Sequence, residues 1–138
     1  MTEVRFYSAL PLEAKAIREE VFVREQGFDE EFDEEDGKAI HALLFRDEEP
    51  IAVGRILCKE DAAYFGRVAV KKEARGKGIG RLLVQAMEEE AQRKDYHLIK
   101  LHSQLDKAPF YIKCGYARVD DEITPDQGYP HVWMEKRL

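Results

Sequence analysis

Apolar and polar positions change period several times along the 138 residues, and each change marks an element. Residues 3–7 (EVRFY) read as a short strand. From Pro11 the segment PLEAKAIREEVFVREQ places Leu12, Ile17 and Val21 at helical spacing, with proline at the opening position where its missing N–H is not needed. Gly27 stops that helix, and 29–36 (DEEFDEED) is acidic enough to predict a solvated loop. Two runs rich in β-formers follow, 39–45 (AIHALLF) and 51–57 (IAVGRIL), split by 46–50 (RDEEP), which has turn composition; together they predict an antiparallel hairpin. A further strand covers 63–70. Beyond it Ile79, Leu82, Leu83, Ala86, Met87 and Ala91 form an apolar stripe at helical period, the clearest helix in the chain. Residues 97–102 (HLIKLH) alternate as a strand, 107–113 (KAPFYIK) suggest a short helix ended by Gly115, and strands are expected at 116–119 and 132–136.

The predicted order is therefore β-α-β-β-β-α-β-α-β-β, a mixed α/β domain with a parallel crossover from the strand ending at Val70 to the strand containing Leu98. No repeat, linker or low-complexity segment divides it, so 1–138 reads as a single domain.

Composition narrows the partners. A formal net charge of -6 argues against general nucleic-acid binding, so an anionic ligand must be held locally. No apolar run approaches the roughly 20 residues of a membrane span, and the N-terminus lacks a secretory pattern. A cytoplasmic protein without membrane attachment is expected. The two cysteines form no CxxC pair and the four histidines have no metal-ligand spacing, so neither a structural disulfide nor a metal site is expected.

The strongest chemical signal is VAVKKEARGKGIGRLL, residues 68–83. Glycines between a strand and a helix N-terminus let backbone N–H groups converge on one point, where the helix dipole also favours an anion. Lys71, Lys72, Arg75, Lys77 and Arg81 add positive charge. Phosphate is the obvious ligand. A Walker loop requires Lys-Ser/Thr after its second glycine, and a dinucleotide fingerprint requires GxGxxG, whereas Gly76, Gly78 and Gly80 run GxGxG. On spacing alone, a glycine-rich helix entry with solvated basic residues stays open.

The segment resembles the GNAT family of acetyl-CoA-dependent N-acetyltransferases. Its Arg/Gln-x-x-Gly-x-Gly/Ala signature is matched by Arg75, Gly78 and Gly80, after the strand residues Val68 and Val70. Downstream, Gln104, Ala108, Phe110, Tyr111, Lys113, Gly115 and Tyr116 are similar to the family's Asn-Ala-Tyr-Glu-Lys-x-Gly-Phe segment, with Gln104 in place of Asn and Ile112 in place of Glu. Residues 18–26 (REEVFVREQ) and 128–131 (GYPH) resemble the small bacterial ElaA/YjcF type. The likeness covers nearly the whole chain. It implies a mixed sheet flanked by helices, whose splayed central strands form the acetyl-CoA cleft. Val68 and Val70 would pair with the pantetheine arm; Arg75, Gly76, Lys77, Gly78, Ile79, Gly80 and Arg81 would cradle the pyrophosphate; Gln104 would complete the cofactor site. Acetyl would pass directly to a primary amine, on a small molecule or a protein, in a ternary complex.

Such a transfer needs a neutral amine and a departing thiolate. A lysine-like amine of pKa about 10.4 lies roughly 4.6 kcal/mol from its neutral form at pH 7, whereas a thiol near pKa 8.5 is only about 2 kcal/mol from thiolate. Tyr111 is the expected general acid, by the family's habit of placing a tyrosine hydroxyl beside the coenzyme sulfur; otherwise Phe110 and Tyr111 simply pack the short helix. Glu25 is a candidate base near the end of the first helix, equally readable as an exposed glutamate. His41 and His131 are the alternatives, and the sequence leaves the base open. The acidic run would attract a cationic acceptor or merely be solvated, and Cys114 lacks an activating neighbour in sequence. An exposed β-edge at the C-terminus would support a homodimer. The rival readings are a non-catalytic acyl-CoA-binding or sensor module and a nucleotide-binding regulator.

Overall fold

The chain folds in the order β1 (Thr2–Tyr7), α1 (Leu12–Arg18), β2 (Ile40–Arg46), β3 (Glu49–Cys58), β4 (Ala63–Val70), α2 (Ile79–Arg93), β5 (Leu98–Gln104), α3 (Ala108–Lys113), β6 (Ala117–Arg118), β7 (Thr124–Asp126) and β8 (Tyr129–Arg137). The computed structural model describes residues 1–28 and 33–138. One sheet runs β1-β2-β3-β4-β5-β8-β6, with β7 also paired to β8. Strands β1 to β4 are successively antiparallel, β4 and β5 are parallel, and β8 returns antiparallel to β5.

The unbroken apolar runs of β2 and β3 follow from burial on both faces. Ala42 and Leu44 join Leu83, Val84 and Met87 of α2, while Leu43, Phe45 and Val53 meet Ile17 and Val21 on the other face. Gly54 permits the close approach of α2: a Cβ there would stand 2.6 Å from the sulfur of Met87.

Four expectations need correction. The first helix is α-helical only to Arg18, and Glu19–Glu25 continues as π-helix, closed by the Gln26 N–H on the Val21 carbonyl at 3.1 Å. Leu12 does not join its packed stripe and is 81% exposed. Five residues from Leu12 to Ile17 turn the helix about 140° off one face, whereas Ala14, Ile17 and Val21 follow the three- and four-residue spacing. Strand β7 was not expected; it forms because Gln127 and Gly128, both at positive φ (51° and 85°), make a two-residue hairpin that also starts β8 at Tyr129. Strand β8 is flanked by β5 on one side and by β6 and β7 on the other, so it is not the exposed edge that the sequence offered as one support for a dimer.

The fourth concerns the acidic run, whose residues 29–32 lie outside the described ones. Glu34 and Glu35 are exposed as expected, but Asp36 is buried. Arg18, itself fully buried, donates to both its carboxylate oxygens at 3.0 and 3.1 Å, and Arg55 adds a bond at 3.1 Å. Asp33 extends this network to Arg55 (2.8 Å) and Arg67 (3.2 Å). Burial opposes the charge on Asp36, yet the two arginines and the Asp33 N–H outweigh it and hold its pKa down at about 2.

No helix among the described residues is long and apolar enough to cross a membrane.

Candidate active site

Strands β4 and β5 pair only at Ala63↔Ile99, Tyr64↔Lys100 and Phe65↔Leu101, and then separate. The cause lies on the other side of β4. Between Val53↔Ala69 and Arg55↔Gly66, one residue of β3 faces two of β4, Arg67 and Val68, with Arg67 at φ 54°. Such a bulge bends its strand and increases the local twist. A cleft of about 160 Å³ occupies the opening, lined by Arg67, Val68, Ser103, Gln104, Tyr111 and His131 among others.

Past Val70 the chain turns through a short 3-10 segment, Lys72–Ala74, pinned by the Lys71 N–H on the Ile51 carbonyl at 2.9 Å. Gly76 (φ 79°) and Gly78 (φ 76°) then take left-handed conformations, and Gly78 caps α2. The first N–H groups of a helix have no preceding carbonyls to bond, so the α2 entry presents amides and the positive end of the helix dipole. Ile79 is buried and anchors this turn, whereas Lys77 and Arg81 are exposed. Gly80 has a different role. A Cβ on it would come within 3.1 Å of the Phe110 ring, so its missing side chain lets α3 sit directly on the first turn of α2.

Arg75 is already engaged. Its Nε donates to the Val70 carbonyl at 2.9 Å and its two terminal nitrogens donate to the Glu25 carboxylate at 2.7 and 2.8 Å. Arg75 thereby holds the Glu25 carboxyl below the ordinary carboxylate range. Next to Glu25, the Gln26 side chain accepts from Gln104 Nε2 at 2.8 Å, joining the end of the π-helix to the end of β5.

Tyr111 packs edge-on against Phe110 and Tyr116, at ring separations of 4.9 and 5.9 Å. Burial, with a smaller contribution from Cys114, raises its hydroxyl above the ordinary tyrosine range, so the phenol is protonated at neutral pH. Burial also raises the Cys114 thiol, which disfavours a nucleophilic thiolate.

The sequence-predicted residues thus fall into two groups. Val68, Gln104 and Tyr111 share the cleft, while Val70 and 75–81 form the adjacent glycine loop, with Glu25 bound to the loop arginine. His41 belongs to neither group. It is fully buried in β2, its Nε2 bonds the Asp36 carbonyl at 2.9 Å, and burial lowers its pKa. His131 does line the cleft, together with His102, Lys107 and Asp126, which the sequence reading did not single out. Gly66 inside a strand pattern was the available signal for the bulge, since an isolated strand glycine often marks one. The hairpin that delivers Asp126 and His131 had its signal in Gln127-Gly128.

Comparison with known proteins identifies relatives of this chain and this fold. The Acetyltransferase (GNAT) domain family matches residues 10–138. The uncharacterized N-acetyltransferase YjcF of Bacillus subtilis is 34% identical over 122 residues, covering 87% of each chain. A candidate N-acetyltransferase from Lactobacillus plantarum superposes with a TM-score of 0.91 at 33% identity, over 99% of this chain and 98% of that one. Escherichia coli ElaA superposes at 0.86 with 28% identity, over 99% of this chain and all of that one.

Proposed function

Because the chain belongs to the GNAT family of acetyltransferases, we propose that it transfers acetyl from acetyl-CoA to a primary amine by direct attack within a ternary complex. Family membership makes it an acyltransferase; the acceptor and the route are our reading. The observation that carries the reading is the opening of β4 from β5 at the Arg67 bulge, with Tyr111 on one side of the gap and the glycine loop at its end.

Beyond Phe65 the backbone of β4 is released from β5, so the polar groups around Val68 are available to an extended amide-bearing chain such as pantetheine, whereas the Val70 carbonyl is taken by Arg75. The amides of Gly76 to Arg81 suit the pyrophosphate, each charge-assisted bond contributing roughly 1.5–3 kcal/mol. Lys77 and Arg81 supply charge from solvent. Arg75 acts by holding the loop to Val70 and Glu25, and Gln104 by fixing the end of β5. The thioester carbonyl then lies in the cleft, where the acceptor nitrogen attacks it. As the tetrahedral adduct collapses, the C–S bond breaks and sulfur leaves with the bonding pair. Tyr111 donates its hydroxyl proton to that sulfur. The desolvation that makes the phenol a weak acid also disfavours a bare thiolate, so the donation has value at the moment of departure. Direct transfer is favoured over an acetyl-cysteine route because Cys114 has a raised thiol and does not line the cleft.

Calorimetry with acetyl-CoA and thiol release with a panel of primary amines test the reading together. Binding, amine-dependent release and intersecting initial-rate lines are expected. Tight binding without release by any amine would instead favour a sensor module, and parallel lines would contradict the ternary complex.

A further inference from the structure

We propose that His131 is the general base of this site, taking the proton from the attacking nitrogen through Nε2. The assignment rests on the amine-acetylation reading above and supplies the role that sequence left open.

The geometry begins with the backbone. The Nδ1 of His131 lies 2.9 Å from the Tyr129 carbonyl oxygen. A carbonyl only accepts, so Nδ1 carries the hydrogen and the neutral ring keeps its lone pair on Nε2. Two residues of β8 thus fix both tautomer and ring orientation, as a base requires. The ring belongs to the cleft lining that includes Val68 and Tyr111, and its register partner across the sheet is Gln104, at the end of β5 where the cleft opens. Acid and base candidates therefore approach one cleft from different elements, α3 and β8.

The competing groups are differently placed. Both oxygens of Glu25 are held by Arg75. His102 is committed through Nε2 to Thr124 Oγ1 at 2.9 Å, and its ring is stacked on Trp133 at 4.6 Å. Its ring centroid lies 4.8 Å from that of His131. Burial first, and then the His131 charge, lower the His102 pKa. Among the described residues, the other titratable or charged groups lining the cleft are Arg67 from β4, Lys107 before α3, Tyr111 from α3 and Asp126 from β7. Arg67 is ion-paired to Asp33.

The protons balance. The amine nitrogen forms its bond to the carbonyl carbon and loses a proton to His131, while the departing sulfur gains one from Tyr111. Return of the imidazolium proton to the phenolate through solvent restores both residues, and the products are the amide and free CoA.

The test compares wild type, His131→Asn and His102→Asn between pH 5.5 and 9, following thiol release from acetyl-CoA with benzylamine, putrescine and glycylglycine. Asparagine can keep a donor near the Tyr129 carbonyl, so the hairpin should hold. The wild-type kcat/KM, expressed per neutral amine so that the acceptor's own titration is removed, should fall on the acidic side. His131→Asn should lose that limb and about 10²–10⁴-fold in rate near neutrality, with acetyl-CoA affinity within twofold by calorimetry; His102→Asn should keep the limb. An active wild type whose limb and rate survive in His131→Asn overturns the assignment alone. A wild type that binds acetyl-CoA yet acetylates none of the amines overturns the transfer reading, and the base with it.

Discussion

Both carboxylate oxygens of Glu25 hold the guanidinium of Arg75, at 2.7 and 2.8 Å, across 50 residues of sequence. The same guanidinium bonds the Val70 carbonyl through Nε. One side chain therefore ties the π-helix end to the point where β4 becomes the glycine loop. More than a third of each partner is exposed, so the pair contributes only about 0–1 kcal/mol to stability. Its value is in fixing the loop.

Glu25→Gln should accordingly change the melting temperature little, weaken acetyl-CoA binding several-fold, and leave the shape of the pH–rate profile intact. Titration and calorimetry separate these effects. Because Arg75 depresses the Glu25 carboxyl, the pair is fully formed above the ordinary glutamate value of about 4.3 and is lost as pH falls through the lower folded value. A variant with normal acetyl-CoA affinity but no acidic limb would return Glu25 to the role of base.

Gly78→Val tests the loop by backbone strain alone. No atom lies within 4 Å of where a Cβ would stand, but φ is 76°, a conformation that costs a non-glycine residue roughly 1–2 kcal/mol and a β-branched one more. The loop should distort locally, so calorimetry should find acetyl-CoA binding at least tenfold weaker while the circular dichroism spectrum is retained. Unchanged affinity would show that these amides do not hold the pyrophosphate.

Gly80→Ala acts through a contact instead. Its Cβ would meet Phe110 at 3.1 Å, forcing the ring and with it α3 to move by a few tenths of an ångström. We expect a lower kcat that Phe110→Leu partly restores in the double variant, a coupling measurable by a double-mutant cycle. Strict additivity would mean that α3 is not positioned through this contact.

Asp36 is the expected acid-sensitive element. Its carboxyl titrates at about 2 when folded, against about 3.9 unfolded. A depressed carboxyl contributes stability that is present above the unfolded value and is lost as pH falls from about 4 through about 2. Asp36→Asn removes the carboxylate that faces the fully buried Arg18 and should cost about 2–3 kcal/mol at pH 7, the size the pKa difference implies, read by urea unfolding. The difference between the two proteins should shrink toward pH 2. A constant difference across that range would contradict the assignment.

What the sequence made legible was what local spacing encodes. Of the predicted stripe, Ile79, Leu83, Met87 and Ala91 are buried as a helical period requires while Leu82 is 41% exposed, and the double-sided burial of β2 and β3 explains why their apolar runs are continuous. Tyr111 was legible only through the likeness of 104–116 to a family segment. Asp36 was misread because its partners Arg18 and Arg55 are 18 and 19 residues away, and local charge density says nothing about which carboxylate the fold will enclose. The Glu25–Arg75 pair is longer still in range. The π-helix of Glu19–Glu25 has no period in the residue pattern distinct from an α-helix over so short a length. Leu12 was a spacing error rather than a tertiary effect, since five residues do not return to one helix face.

The most direct test of the account is the steady-state rate of Tyr111→Phe with an amine that the wild type acetylates, under conditions where presteady-state traces exclude a product burst. The ring and its contacts with Phe110 and Tyr116 are kept, so acetyl-CoA affinity and melting temperature should be unchanged. General-acid assistance is worth roughly 10²–10⁴-fold, and the thiolate's modest deficit at neutral pH places the expected loss near 10²-fold in both kcat and kcat/KM. A phenylalanine variant within twofold of wild type would contradict the acid role and leave Tyr111 as a packing residue.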